Sequence, residues 1–183
     1  MKDNWVDEVL TFWFGELDQK QWFFSSKEVD DQIRDRFGSV ITELSVKPPV
    51  EAGSDARTAL AAVIALDQFP RNIFRGTSRA FATDDLALRL ATAAVDNCLD
   101  EKLSPVEQLF LYLPFEHSEI SADQDRSVML YEALGLEEPL RYAIEHREII
   151  QRFGRFPHRN AVLGRVSTAE ELAFMKEHAG YGQ

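Results

Sequence analysis

Apolar residues recur along most of this chain at the three- and four-residue spacing of amphipathic helices. The clearest run follows a predicted capping box, Ser25 with Glu28, and consists of Val29, Ile33, Phe37, Val40, Ile41 and Leu44. A second run, opened by Asp55 and covering residues 57–69, is apolar nearly all round, which is typical of a helix at the centre of a fold. The pattern therefore predicts an all-α chain.

Capping and stop signals predict the remaining helices. One helix runs from Asn4 to Gly15 and another from Thr83 or Asp84 to about Leu99. A third begins at Ser104, which forms a capping box with Glu107 and is followed by a proline. The last three run from Ser121 to Gly135, from Pro139 to Gly154, and from Ser167 or Thr168 (with Glu170 or Glu171) to about Gly180. Residues 47–54 are predicted to form a loop. Because the connections look short and no low-complexity linker is seen, we expect one domain, 1–183, built as an irregular antiparallel helical-hairpin array.

Composition and charge narrow the function classes. The 183-residue chain is 45% hydrophobic and 28% charged, as globular proteins are. Its net charge of −11 disfavours binding to nucleic acid or to anionic membranes, because phosphates are repelled. The single cysteine, Cys98, has no partner for an internal disulfide, and the first residues do not resemble a signal peptide. We therefore expect a cytoplasmic protein.

Helical periodicity places several polar side chains on apolar faces. Asp67 and Arg71 share a face with the apolar residues before them, Glu116 and His117 continue the apolar face that includes Leu113, and His146 lies on another. A buried carboxylate or imidazole is costly unless it is paired or hydrogen-bonded. Each of these side chains therefore needs a polar partner from another helix.

Three apolar-Pro steps indicate where such partners come from. They are Phe69-Pro70 followed by Arg71 and Asn72, Leu113-Pro114 followed by Glu116 and His117, and Phe156-Pro157 followed by His158, Arg159 and Asn160. Proline removes a backbone donor and disfavours helix before it, so each step is expected to end or kink a helix. Side chains just past these breaks can point across helix ends, and the three groups are predicted to meet there.

A basic segment stands out in this acidic chain. Between Arg141 and Arg165 there are six arginines against two glutamates, a local charge of +4. Such a segment either forms internal ion pairs, which is the commoner outcome, or holds an anion. The aromatic residues Trp22, Phe23 and Phe24, by contrast, are predicted to belong to the core.

The sequence around the proline steps resembles a known family. Asp67-Gln68-Phe69-Pro70-Arg71-Asn72, Leu113-Pro114-Phe115-Glu116-His117 and Arg155-Phe156-Pro157-His158-Arg159-Asn160 are similar to the bacterial domain-of-unknown-function 924 family, as is the N-terminal Leu10-Thr11-Phe12-Trp13-Phe14-Gly15. The resemblance covers almost the whole chain. It implies a tetratricopeptide-like α–α superhelix, and it implies no established activity.

Three functions remain open at this point. The preferred one is a pocket between helix ends that binds a small anionic molecule or an acidic peptide end through Arg71, Asn72, Arg155, His158, Arg159 and Asn160. The second is a hydrolase or transferase that uses Glu116 or His117 as general base, with Asp67 and His146 beside them. The third is a helical scaffold for protein partners.

No metal and no cofactor are expected. The chain lacks a phosphate-binding Gly-rich loop and a dinucleotide fingerprint. In both Glu-His-x-Glu segments, at Glu116 and at Glu145, the histidine directly follows the glutamate, so the two side chains diverge by about 100° around the helix and cannot readily bind one metal ion. The nearby arginines also oppose a cation.

Overall fold

The computed structural model describes residues 4–24 and 26–178, and every regular element in those ranges is helical, which confirms the predicted all-α class. The α-helices are α1 (Trp5–Thr11), α2 (Gln19–Phe23), α3 (Lys27–Val46), α4 (Ala56–Val63), α5 (Phe69–Ile73), α6 (Asp84–Asp96), α7 (Pro105–His117), α8 (Ser121–Leu134), α9 (Glu137–Phe153) and α10 (Ala169–Glu177). Short 3-10 turns occupy Val50–Gly53, Ser78–Phe81, Asp100–Lys102 and Pro157–Arg159. Within the described ranges, none of these helices combines the length and apolarity needed to span a bilayer.

Side-chain caps set the starts of several helices where the sequence predicts them. Ser104 and Glu107 form the predicted capping box at α7, and Thr168 with Glu171 forms another at α10. At α4, the Asp55 carboxylate accepts a hydrogen bond from a backbone amide at 2.8 Å. Local sequence therefore fixes these boundaries.

Two predicted boundaries fall on residues outside the described ranges. One is the capping box of Ser25 with Glu28. Within the described ranges the cap of α3 is Ser26, whose hydroxyl accepts a hydrogen bond from the Val29 amide at 3.5 Å. The other is the predicted end of the last helix near Gly180. Elsewhere, the stops agree with the sequence, since α8 and α9 end at glycines with left-handed backbone, φ 73° and 68°.

The centre of the fold is the continuous helix formed by α4, a π-helical turn (Ile64–Gln68) and α5. Its residues 59–66 are fully buried, and it packs against α1, α3, α6 and α7. Farther along the chain, α7, α8 and α9 pack each against the next. The tetratricopeptide-like superhelix stays a prediction. Asp67 and Gln68, which lie in the π turn, are carried by the most buried helix of the molecule.

The first proline step interrupts this central helix without ending it. The Phe69 amide bonds to a carbonyl five residues back, in the π turn, and Pro70 follows with no amide to donate. The Leu66 carbonyl, four residues before Pro70, accepts the Thr83 hydroxyl at 2.5 Å. The extra residue of the π turn and this side-chain bond together let the helix continue through α5.

The other two proline steps differ from each other. Pro114 lies inside α7, which continues to His117, so this helix does not end at its proline. Pro157 opens a 3-10 turn after α9 has already ended at Gly154. Glu116 and His117 are therefore helical residues in the last turn of α7, and His158 to Asn160 lie in a loop.

Candidate functional site

A cavity of about 860 Å³ lies between α2, α5, α7, α8 and α9. This volume is within the range of small-molecule sites, about 300–1,000 Å³. Much of its wall is aromatic or aliphatic, from Trp22, Phe23, Phe24, Val106, Leu109, Leu113, Tyr131, Leu136, Pro139 and Tyr142. Its polar lining includes five of the ten residues predicted from sequence, namely Arg71, Asn72, Glu116, His117 and His146.

Asp67 does not line the cavity itself, but it contacts three residues that do. Its side chain is fully buried and accepts three close contacts: Gln68 Nε2 at 2.5 Å, His117 Nδ1 at 2.8 Å and Arg71 Nη1 at 3.4 Å. Burial alone would raise the pKa of Asp67, but these neighbours, Arg71 foremost, hold that pKa well below its ordinary value. Asp67 is therefore an ionised carboxylate. We call Asp67, Arg71, Glu116, His117 and His146 the Asp67 cluster.

The ionised Asp67 determines the tautomer of His117. A carboxylate can only accept hydrogen bonds, so the 2.8 Å contact requires His117 Nδ1–H to donate. Burial, together with Arg71, lowers the pKa of His117, so its imidazole is neutral at pH 7. The Nε2 atom then carries a lone pair. His117 lines the cavity as a base whose orientation is set by a buried carboxylate.

Arg71 joins the cluster to the start of α6. Its two Nη atoms donate to the Asp84 carboxylate at 2.8 and 2.9 Å, and Nη1 also donates to the Asp67 carbonyl at 2.7 Å. Its Nε–H, in contrast, has no hydrogen-bond acceptor among the described residues. The Nε atom itself is buried, although Arg71 as a residue lines the cavity, so this donor is an unpartnered polar group within the cavity wall.

Glu116 has the opposite protonation state from Asp67. It is 5% exposed, and burial, with the Asp67 and Glu145 carboxylates, raises its pKa to about 8. The Glu116 carboxyl is therefore mostly protonated at pH 7 and can donate a proton or a hydrogen bond. Its Oε1 lies 3.4 Å from His146 Nδ1.

His146 supports Glu116 as a neutral residue. Its Nδ1–H donates to the Tyr142 carbonyl at 2.8 Å, and its ring packs edge-on against Phe156 with centroids 5.5 Å apart. Burial lowers the pKa of His146 to about 3. Because His146 is neutral, it provides no positive charge that would stabilise an ionised Glu116 and lower the pKa of Glu116.

Arg159 lies behind the cavity wall. It donates to the His117 carbonyl at 3.0 Å, lies 3.6 Å from Asp84 and packs against the rings of Phe81 and Phe156. Burial, with Arg71 nearby, lowers the pKa of Arg159 to about 10, which leaves it charged at pH 7. The two guanidinium groups of Arg71 and Arg159 thus balance the two carboxylates of Asp67 and Asp84.

Three of the predicted ligand-binding residues lie elsewhere. Arg155 donates to the Glu171 carboxylate at 2.7 and 2.9 Å, and Asn160 donates to the same carboxylate at 3.3 Å. His158 packs against Phe156 and does not line the cavity. We call Arg155, Asn160, Thr168 and Glu171 the Glu171 cluster; it joins the loop after α9 to α10, and it is not part of the pocket. Asn72 lines the cavity, but its amide donates to Asp30 at 2.9 Å.

The basic segment has partners throughout. Each of its six arginines lies within 4.0 Å of a carboxylate: Arg141 near Glu145, Arg147 near Asp125, Arg152 near Glu170, Arg155 near Glu171, Arg159 near Asp84 and Arg165 near Glu119. Of the two interpretations of the +4 segment, internal ion pairing therefore accounts for it. The segment gives no separate support to an anion site.

Sequence reasoning missed two parts of the site. Phe23 and Phe24, predicted as core, are 58% and 72% exposed and line the cavity together with Trp22. That prediction is wrong for these two residues because Phe23, the last residue of the short helix α2, and Phe24, directly after it, lie at the cavity edge. Asp84 was predicted only as a helix start, and helical spacing carries no signal for its pairing with Arg71.

Within residues 4–24 and 26–178, no group of three His, Cys, Asp or Glu side chains is arranged to hold a metal ion.

The comparisons with known proteins agree with the fold. The model of the family described as "Bacterial protein of unknown function (DUF924)" matches residues 9–179. A solved structure described as a protein of unknown function, ATU0120 from Agrobacterium tumefaciens, is 37% identical, with a TM-score of 0.90 over 94% of this chain and 97% of that one. No curated protein matches.

Proposed function

This chain belongs to the DUF924 family of bacterial proteins of unknown function, and we propose that it is an enzyme that hydrolyses or transfers an ester, amide or phosphoester by general acid–base catalysis. The observation that carries the proposal is the Asp67 cluster, in which an ionised carboxylate holds a neutral histidine, His117, at 2.8 Å and a second, protonated carboxyl, Glu116, lines the same cavity. Pairs of titratable groups whose pKa values are driven apart typically divide the acid and base roles of an enzyme.

His117 is the general base in this proposal. Its Nε2 lone pair belongs to a residue that lines the cavity, while Nδ1–H is held by Asp67 at 2.8 Å. An attacking water or hydroxyl transfers its proton to Nε2, and the Asp67 carboxylate stabilises the imidazolium that forms. Among the described cavity-lining residues there is no serine, threonine or cysteine, so the base acts directly on the attacking molecule.

Glu116 is the general acid. Its raised pKa, about 8, keeps a proton available at neutral pH for the leaving group. Arg71 contributes its Nε–H, which lacks an acceptor among the described residues, to the oxygen that gains negative charge. The three roles use adjacent side chains of two helical segments, α5 and the last turn of α7.

The test is turnover of chromogenic nitrophenyl esters, anilides and phosphate esters by the wild type and three variants. His117→Asn keeps a donor to Asp67 but has no base, and it is expected to abolish turnover. Glu116→Gln is expected to lower turnover and to remove its decline near pH 8. Glu138→Gln alters an exposed carboxylate of the cavity wall outside the Asp67 cluster and is the matched control. Equal turnover in all four proteins would refute the proposal.

A second candidate function is the binding of a small anionic molecule without turnover. Two observations favour it: the Arg71 Nε–H, and Lys20, which lines the cavity and has no carboxylate within 4.0 Å among residues 4–24 and 26–178. Thermal melts with phosphate, citrate and acidic peptides test it, because a ligand of the folded state raises the melting temperature. Stabilisation that is lost in Lys20→Gln, together with no turnover, would favour this candidate over the enzyme.

A further inference from the structure

We propose that the substrate is an uncharged carboxylic ester or amide that carries a flat aromatic group. This inference rests on the proposed function, which leaves carbonyl and phosphoryl substrates open. Two features of the cavity carry it, the charge balance at the end lined by residues of the Asp67 cluster and the aromatic side chains at the end of α2.

The end of the cavity that is lined by residues of the Asp67 cluster has no surplus positive charge. Arg71 and Arg159 are matched by Asp67 and Asp84, with nitrogen–oxygen distances of 2.8 to 3.6 Å. His117 is neutral and Glu116 is mostly protonated. A phosphoryl group would bring net negative charge into this buried, already balanced site, and burying an uncompensated charge is costly.

A neutral carbonyl group suits the same donors. Its oxygen can accept a hydrogen bond from Arg71 Nε–H, which lies in a residue that is 8% exposed and has no acceptor among the described residues. The carbonyl oxygen carries a partial negative charge in the ground state and a full negative charge in the tetrahedral intermediate, so its hydrogen bond to Arg71 becomes stronger as the reaction proceeds. The chain's net charge of −11 also disfavours the approach of polyanions.

The aromatic side chains at the end of α2, with Phe24 directly after it, indicate the shape of the substrate's apolar part. Trp22 and Phe23 both pack on Phe110, with ring centroids 5.1 and 6.1 Å away, and Phe23 is stacked on it. Phe24 is 72% exposed although it lines the cavity. When an apolar ligand covers exposed rings beside a cavity, their apolar surface is removed from water, which favours binding. Aromatic rings stack or pack edge-on with other flat rings.

The chemical step balances with water as the only co-reactant. Water oxygen attacks the carbonyl carbon while its proton passes to His117 Nε2. Collapse of the tetrahedral intermediate breaks the bond to the leaving oxygen or nitrogen, which takes the proton of Glu116. The products are a carboxylic acid and an alcohol or amine, and the proton on His117 then returns through solvent to Glu116. No electrons are gained or lost.

Binding of three probes to the full chain tests the substrate class without requiring turnover. Naphthylacetamide combines a neutral carbonyl with a flat body, naphthylmethylphosphonate replaces the carbonyl group by an anion, and acetamide lacks the body. We expect the first to bind at least tenfold more tightly than either of the others, measured by calorimetry and by a change in tryptophan fluorescence.

Matched variants show whether the cavity is the binding site. Phe24→Ala should weaken naphthylacetamide binding at least fivefold, whereas Val46→Ala, at another exposed apolar side chain outside the cavity, should leave it unchanged. Tighter binding of the phosphonate, equal binding in the two variants or no binding of naphthylacetamide would overturn the inference. If the wild type binds naphthylacetamide but turns over none of the esters, anilides and phosphate esters, the enzyme is refuted and the binding site is not.

Discussion

Two clusters of arginine and carboxylate side chains, each formed in part by residues following a Phe-Pro step, have different roles in this structure. In the Glu171 cluster, Arg155 and Asn160 meet a carboxylate that also caps α10, and the pKa of Glu171 falls to about 2 because hydrogen bonds from Arg155 and Thr168 favour its charge. In the Asp67 cluster, burial instead raises the pKa of Glu116 to about 8. Similar residue types therefore hold an ionised carboxylate in one place and a protonated carboxyl group in the other.

What separates the two clusters is the supply of hydrogen-bond donors to each carboxylate. Glu171 accepts bonds from two side chains and one backbone amide, so its charge is satisfied locally. Glu116 lies near a neutral histidine, at 3.4 Å, and within the field of Asp67. A carboxyl group in such surroundings retains its proton.

The largest expected difference between variants of the two clusters is in their effect on turnover. His117→Asn should lower kcat/KM by about 10²–10⁴-fold, the usual contribution of a positioned base, while retaining the hydrogen bond to Asp67. Glu171→Gln, in the other cluster, should leave kcat/KM within twofold. Steady-state kinetics on the best ester or anilide measures both, and a comparable loss in Glu171→Gln would remove the distinction between the clusters.

Stability should respond in both clusters, but more strongly at Asp67. Asp67→Ala leaves the buried Arg71 and Arg159 with the partly exposed Asp84 as their common carboxylate partner, and it is expected to lower the free energy of unfolding by about 3–5 kcal/mol. Glu171→Ala removes the acceptor of Arg155, whose side chain is 28% exposed and can bind water instead, so the expected cost is about 1–2 kcal/mol. Urea denaturation at pH 7 compares the two; a greater loss at Glu171 would contradict the burial argument.

The pH dependence of stability should have opposite signs in the two clusters. Glu116 has a folded-state pKa of about 8, above its ordinary 4.5, so the unfolding free energy should fall as the pH rises through that interval. Glu171 has a folded-state pKa of about 2, below 4.5, so its contribution is present above pH 4.5 and lost as the pH falls toward 2. Glu116→Gln should flatten the first slope and Glu171→Gln the second, as urea midpoints across the pH range would show.

Much of the fold follows from the sequence because its signals are local. Capping boxes at Ser104 and Thr168, and the periodic apolar faces, predict helix starts and inward residues without knowledge of neighbours. The continuity of the central helix across Pro70 was not predictable in the same way, since it depends on a π turn and on the distant Thr83 hydroxyl.

The candidate site was predictable only in part. Periodicity identifies Asp67, Glu116, His117 and His146 as inward-facing, and the structure brings these four together. It cannot say which arginines face a cavity, and so the proline steps and the basic segment wrongly place Arg155 and Asn160 in one pocket with Arg71. The cavity-lining role of Phe24 depends on where α2 packs, which no local pattern records.

The protonation state of Glu116 tests the central claim most directly. Carbon-13 NMR of the side-chain carboxyl groups, titrated with pH, should show one glutamate with a midpoint near 8 that disappears in Glu116→Gln. A midpoint near the ordinary value of 4.5 would mean that Glu116 is ionised at neutral pH, and it would contradict its role as the acid of this site.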